Sequence, residues 1–284
     1  MKNFRAYFLL FIAVVALCSC DLAKNNKALI SEAGKALVEE LDQKDGEAGA
    51  CDASAGADDK LVMQTSPKGT PEQILKRTGY VASYNKTTLL PNWVAWHLTA
   101  ERTEGSAKRS GVDFAEDTEV PEPRATDWDY YNSGYDRGHM CPAADNKWSK
   151  KAMEESFLFT NMCPQNGNLN RGDWNEMEMA CRKWAKKYGD LYIVCGPILY
   201  KGKHKTIGKN KVVVPEAFFK VVLRTGDDPQ AIGFIYKNTS GNRPKDSYVN
   251  TVDEVERITG IDFFPSLPDN VEKNVEATAD IANW

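Results

Sequence analysis

The stretch from residue 170 to 189 restricts the fold more than any other part of the chain. Trp174, Met177, Cys181, Trp184 and Tyr188 recur at steps of three and four, which traces one apolar stripe on a helix. Gly189 follows, a residue suited to ending the last turn. A helix apolar on one side only has to lie against a layer that covers the stripe. The sequence offers strands for that layer. Residues 80–84 and 93–98 predict two of them, with a turn around Pro91-Asn92, and residues 157–160 a third. Residues 191–195, 218–223 and 231–236 are apolar runs of strand length. Shorter helices are expected over 149–156 and after Thr251, where Thr251-Val252-Asp253-Glu254 has the capping-box form. Strands outnumber helices, so the expected class is α+β.

With 284 residues the chain can bury one full core and shows no second segment of comparable content. Residues 74–284 are read as that domain. Lys2 and Arg5 precede an apolar run at 7–18, too short to cross a bilayer comfortably. The ending Leu17-Cys18-Ser19-Cys20 resembles a bacterial lipobox. That resemblance implies a signal peptide over 1–19, lipid on Cys20, and an exported protein anchored to a bacterial membrane, expected to be the outer one. The domain would face the periplasm or the cell surface. An ordinary cleaved signal peptide and a short retained anchor are the alternatives. Residues 20–73 are small and polar, apart from an amphipathic stretch at 28–41, and read as a partly disordered tether.

Of the seven cysteines, five remain once Cys18 and Cys20 are set aside. Five is odd, so one stays unpaired, and Cys51 in its polar stretch is the natural candidate. Cys141–Cys163 and Cys181–Cys195 are one possible pairing, which spacing does not decide. Structural zinc is disfavoured, because there is no C-x-x-C pair and the three histidines are scattered.

The formal charge of −4 argues against a polyanionic partner, but its distribution does not. Residues 136–224 hold 16 basic and 9 acidic side chains, and the segments on either side are acidic. Within this basic stretch lie Asp136-Arg137-Gly138-His139, Asn170-Arg171-Gly172-Asp173-Trp174 and Glu178. Breaking a phosphodiester requires an activated water, charge relief at phosphorus and help for the leaving oxygen. His139 is a base of suitable strength, since an ordinary imidazole pKa of ~6.5 leaves it mostly neutral at working pH. Arg137 is a planar donor matched to phosphate, Gly138 allows close backbone approach, and Asp136 can hold neighbouring donors. Asn170 offers the hard oxygen that Mg²⁺ favours. Eight residues of straight helix would put Glu178 about 12 Å along the axis from Asn170, so Glu178 would act through a water. Asn170 also reads as the helix N-cap. His97 in an aromatic strand and His204 in a lysine-rich loop are read as structural or solvated.

The run 135–198 resembles the DNA/RNA non-specific endonuclease family, the ββα-metal nucleases with a D-R-G-H motif, and weaker likeness extends over residues 79–267. The resemblance implies a central antiparallel sheet with the ββα-metal unit on one side. It implies His139 as general base, Asn170 as the direct ligand of Mg²⁺ and Glu178 as a ligand through water, with Mn²⁺ or another divalent cation as substitute. Asn161, in Thr160-Asn161-Met162-Cys163-Pro164-Gln165, matches a supporting position that hydrogen-bonds in the site or braces the metal helix. Arg109 falls where the family carries a second phosphate-binding arginine. The implied activity is hydrolysis of DNA and RNA through phosphate contacts, with little sequence preference and 5′-phosphate ends. The cysteines at 141 and 163 and the acidic overall charge depart from the family pattern. Two rival classes use the same residues: a surface lipoprotein that binds a polyanion without cutting it, and a phosphodiesterase restricted to single strands or small phosphodiesters. A pure binder has no chemical need for His139, Asn170 and Glu178 together.

Overall fold

The computed structural model of the protein describes residues 60–226 and 228–284. The signal-like run, Cys20, the expected helix near residue 30 and Cys51 lie outside the described residues. Among the described residues eleven strands form, in chain order: β1 (Gln73–Lys76), β2 (Val81–Asn85), β3 (Leu90–Leu98), β4 (Asp136–His139), β5 (Met162–Gln165), β6 (Leu191–Ile198), β7 (Thr206–Ile207), β8 (Val212–Val213), β9 (Ala217–Arg224), β10 (Gln230–Lys237) and β11 (Val249–Asn250). Seven make one sheet in the order β1-β2-β3-β6-β9-β10-β11, antiparallel at every pairing. β4 and β5 form a separate antiparallel ribbon, and β7 and β8 another. This is the expected α+β architecture.

Both faces of the sheet are covered. Side chains alternate along a strand, so β3 sends Val94, Trp96 and Leu98 into one core and Trp93 and Ala95 into the other. The first core is closed by the β4–β5 ribbon and by helix α3 (Asn175–Tyr188), which follows α1 (Asp127–Tyr130) and α2 (Lys150–Glu155). The second is closed by α4 (Val252–Thr259), α5 (Asp269–Glu276) and the buried pair Leu61 and Val62. Every residue of β9 is buried, as expected for a central strand covered on both sides. The stripe works as the sequence predicts. Trp174, Met177, Cys181 and Trp184 are buried, Tyr188 packs at the edge, and Gly189 ends the helix at φ 89°.

Several expected elements shift. Pro91 and Asn92 lie inside β3, and the chain reverses just before them, where Leu89 takes φ 57°. Pro91 is tolerated there because the β2–β3 register breaks between Ser83 and Tyr84. Residues 157–160 do not form a strand. Phe159–Asn161 is a tight turn closed by Asn161 N–H donating to Leu158 O, and β5 begins after it. The possible disulfides are absent: Cys141, Cys163, Cys181 and Cys195 are all buried free thiols.

Helix α4 approaches the sheet closely because β10 carries Gly233 there. A Cβ at that position would come 2.6 Å from Val255 Cγ2 and 3.2 Å from Asn250 O. Gly233→Ala is therefore expected to lower unfolding stability by about 1–3 kcal/mol through overpacking, measured by denaturant titration.

Candidate active site

Alternation along β4 decides which side chains face each other. Arg137 and His139 fall on one side of the ribbon, Asp136 and Gly138 on the other. Gly138 sits against β5 so tightly that a Cβ would lie 2.3 Å from Gln165 Oε1. The His139 ring is wedged between Phe157, edge-on at 4.9 Å, and Phe114 at 5.7 Å. Its Nε2 is shielded and has no hydrogen-bond partner. Burial, helped by the Arg109 guanidinium, pushes its pKa down to about 3, so the imidazole is neutral at working pH. Arg137 is held by Asp127, Nε to Oδ1 at 2.6 Å, and lies over the Phe114 and Tyr130 rings at 5.3 and 5.7 Å. Arg109 sits over Phe157 at 5.5 Å, on the same wall.

Facing the ribbon is the lead-in to α3. Asn166, not Asn170, is the cap: its side chain accepts from Asn168 N–H and Leu169 N–H. Asn170 instead starts a wide π-type turn, Asn170–Trp174, in which Gly172 leaves helical geometry (φ −100°, ψ −112°). No unbroken straight helix therefore runs from Asn170 to Glu178. Asn170 Nδ2 donates to Asp136 Oδ2 at 3.0 Å, which leaves its carbonyl oxygen as the atom for a hard cation. Arg171 makes a bidentate pair with the same carboxylate at 2.9 and 2.7 Å. Trp174 Nε1 donates to His139 O at 3.3 Å, closing the link between helix and ribbon. Desolvation pushes the Glu178 carboxyl up to about 7, against the pull of nearby Lys220.

These groups open onto one cleft of about 730 Å³, lined by Arg109, Arg137, His139, Asn170 and Glu178 together. Lys108, Lys147, Arg171 and Arg182 add positive charge to its wall, and Glu178 is the one carboxylate among its lining residues. Asn161 stands elsewhere. It is fully buried and fixes the chain after His139, accepting from Cys141 N–H at 2.9 Å and donating to Cys141 O and Ser156 O, both at 2.8 Å.

Sequence reasoning missed two groups. Arg182 lies one helical step past Glu178, continuing the face 170, 174, 178, and pairs with buried Asp145 at 2.9 Å. That spacing was the available signal. Lys220, 1% exposed inside β9, lies between the Trp174 and Trp96 rings at 4.4 and 5.1 Å. Its place in an apolar run hid it. His97 pairs with Asp190 and His204 with Glu216, so neither joins the site.

The residues fit a divalent cation, since an amide oxygen and a carboxylate line the same cleft as the neutral base. A second carboxylate group, Asp253, Glu256 and Glu276, has donor atoms within 4.8 Å of one another. It belongs to α4 and α5, on the opposite face of the sheet from His139.

The sequence model of the DNA/RNA non-specific endonucleases matches residues 58–270. A mitochondrial nuclease of zebrafish (Danio rerio), named EXOG, is 39% identical over 206 residues, covering 67% of this chain and 60% of its own length. The chain thus spans less than two thirds of that relative. Mitochondrial endonuclease G of cattle (Bos taurus) is 34% identical, covering 69% of this chain and 70% of its own. A crystal structure of EndoG in complex with its inhibitor EndoGI superposes with a TM-score of 0.66 at 32% identity, over 69% of this chain and 87% of that one. These relatives correct the reading of an exported bacterial lipoprotein anchored through Cys20, with its signal peptide and membrane partner: they are mitochondrial nucleases of animals. Among the described residues, no helix is long and apolar enough to cross a membrane. With the ribbon, the π-turn and His139 brought to one cleft, and the family's sequence model matched over residues 58–270, the chain belongs to the DNA/RNA non-specific endonucleases.

Proposed function

We propose that the chain is a Mg²⁺-dependent endonuclease that hydrolyses DNA and RNA through phosphate contacts and leaves 5′-phosphate ends. The observation carrying this reading is the convergence of neutral His139, the oxygens of Asn170 and Glu178, and several arginines on one basic cleft. His139 accepts the proton of the attacking water. Arg137 and Arg109 hold the non-bridging oxygens of the scissile phosphate, Arg137 fixed by Asp127 and Arg109 laid on Phe157. Asn170 would hold the cation directly and Glu178 through a water; when bound, the cation supplies positive charge at phosphorus and at the leaving oxygen. Asp136 positions Asn170, and Asn161 positions the chain behind His139. The arginines and lysines on the cleft wall suit contacts mainly to phosphate and sugar, which carry no sequence information.

The primary test is cleavage of supercoiled plasmid and total RNA. Wild type should degrade both, EDTA should stop it, and His139→Ala should abolish cutting while circular dichroism stays unchanged. Retained cutting by that variant sinks the assignment. The pH profile follows from the base. Its folded pKa lies below the ordinary 6.5, so the active neutral form is lost only as pH falls well below that value. At saturating Mg²⁺ the acid limb of kcat/KM should lie below pH 6, and Arg109→Gln should move it upward by removing a positive neighbour. Cation binding has its own dependence. A Glu178 carboxyl near 7 holds a proton that competes with the ion, so calorimetric Mg²⁺ affinity should be tighter at pH 8 than at pH 6. Asn161→Ala strands three buried backbone groups, and a loss of about 3 kcal/mol or more in unfolding stability is expected by denaturant titration.

A further inference from the structure

Two large aromatic side chains stand exposed beside the cleft. Trp128 is 78% exposed and Tyr131 62% exposed, and their rings meet edge to face at 5.6 Å. Neighbouring large apolar groups left in water call for an occupant. Their backbone is firmly placed. Tyr130 between them is buried, and Asp129 closes a capping box with Thr126. The Asp129 carboxylate also accepts from Asn210 N–H and Asn210 Nδ2, each at 2.9 Å. Asp127, just before Trp128, is ion-paired with Arg137 (Nε to Oδ1 2.6 Å), and its backbone oxygen accepts from Arg137 Nη2 at 3.3 Å. The segment that carries both rings is thus fixed to Arg137, which lines the cleft.

We propose that Trp128 and Tyr131 form a base-stacking site for an unpaired nucleobase of the strand whose phosphate lies at Arg137. This inference rests on the nuclease reading and adds a preference to it. Aromatic faces accept any base, so the site leaves sequence unread. In duplex the bases are already stacked on one another, so the platform favours single-stranded DNA or RNA and frayed or looped segments. The charges around it suit a polyanionic strand: Arg137 and Arg171 line the adjoining cleft, while Asp127 is engaged by Arg137. An apolar partner protein would find no such continuity with a basic groove.

The test is binding by the full chain carrying His139→Ala in Mg²⁺, which removes cutting. The probes are a short thymidine oligonucleotide and an abasic strand of equal length, with the same phosphates and no bases. The parent should bind the base-bearing strand roughly tenfold or more tighter than the abasic one, the margin expected of a stacked base. Adding Trp128→Ala and Tyr131→Ala should erase that margin while abasic binding stays at the parent's level, and Trp128→Phe should keep most of it. Both rings are on the surface, so their truncation does not threaten the core. The proposal is overturned if the margin survives the double substitution or if the parent shows none. It is equally overturned if the substitutions dissociate an oligomer, read by sedimentation, without changing the margin, since the rings would then cover a second copy of the chain. Plasmid cutting by wild type reports separately on the nuclease reading.

Discussion

The site depends on one carboxylate. Asp136 accepts from Asn170 and Arg171 at once, and these bonds tie the β4–β5 ribbon to the turn that opens α3. Asp136 and Asn170 are 34 residues apart in sequence, and neither ribbon nor helix alone brings His139 and Asn170 to one cleft. A bidentate arginine fixes direction as well as distance, so Asp136 holds the turn in orientation. Its bond to the Asn170 amide nitrogen also selects which atom of that amide is presented. Trp174 adds the return contact to the His139 carbonyl. The wide turn with Gly172 outside helical geometry is what lets Asn170 face the ribbon while Trp174 reaches it from the next turn.

Charge is organised in layers beneath this clamp. Lys220 lies in the central strand between two indole faces, close enough to Glu178 and Asp145 to act on both carboxyls. Asp145 in turn accepts from Arg182 and from the Trp96 indole N–H. A buried ammonium without partners would be costly, and here the ring faces and the carboxylates offset desolvation. The acidic balance of the whole chain therefore says little about its substrate. Glu178 apart, the charged residues that line the cleft are all cations.

Much of this was legible in sequence where a local pattern and a tertiary role coincide. The α3 stripe shows because one face is buried along its length, and β9 and β10 show because strands covered on both faces are mostly apolar. His139, Arg137, Asn170 and Glu178 stood out by residue type and spacing, and they share the cleft. The rest needed long-range contacts. Pro91 suggests a turn until the break in register beside it admits a proline into β3. Asn170 resembles a cap because the true cap, Asn166, lies four residues earlier, and a π-turn has no composition of its own. Asn161 sits beside the cleft in sequence and behind it in space, with an amide spent on backbone groups. Lys220 was hidden by its apolar neighbours.

The four described cysteines are packed into the core as thiols, and burial raises the pKa of each. Two of them belong to the β4–β5 ribbon or its edge: Cys163 is in β5, and Cys141 lies two residues past the end of β4. Thiolate is the reactive form, so in the closed protein these sulfurs are screened from oxidants and alkylating reagents alike. Among the described residues no disulfide cross-links the domain. The same burial makes the thiols a clock. Any alkylation they undergo counts openings of the core, with one pair reporting from beneath the ribbon and the other from between helix and sheet.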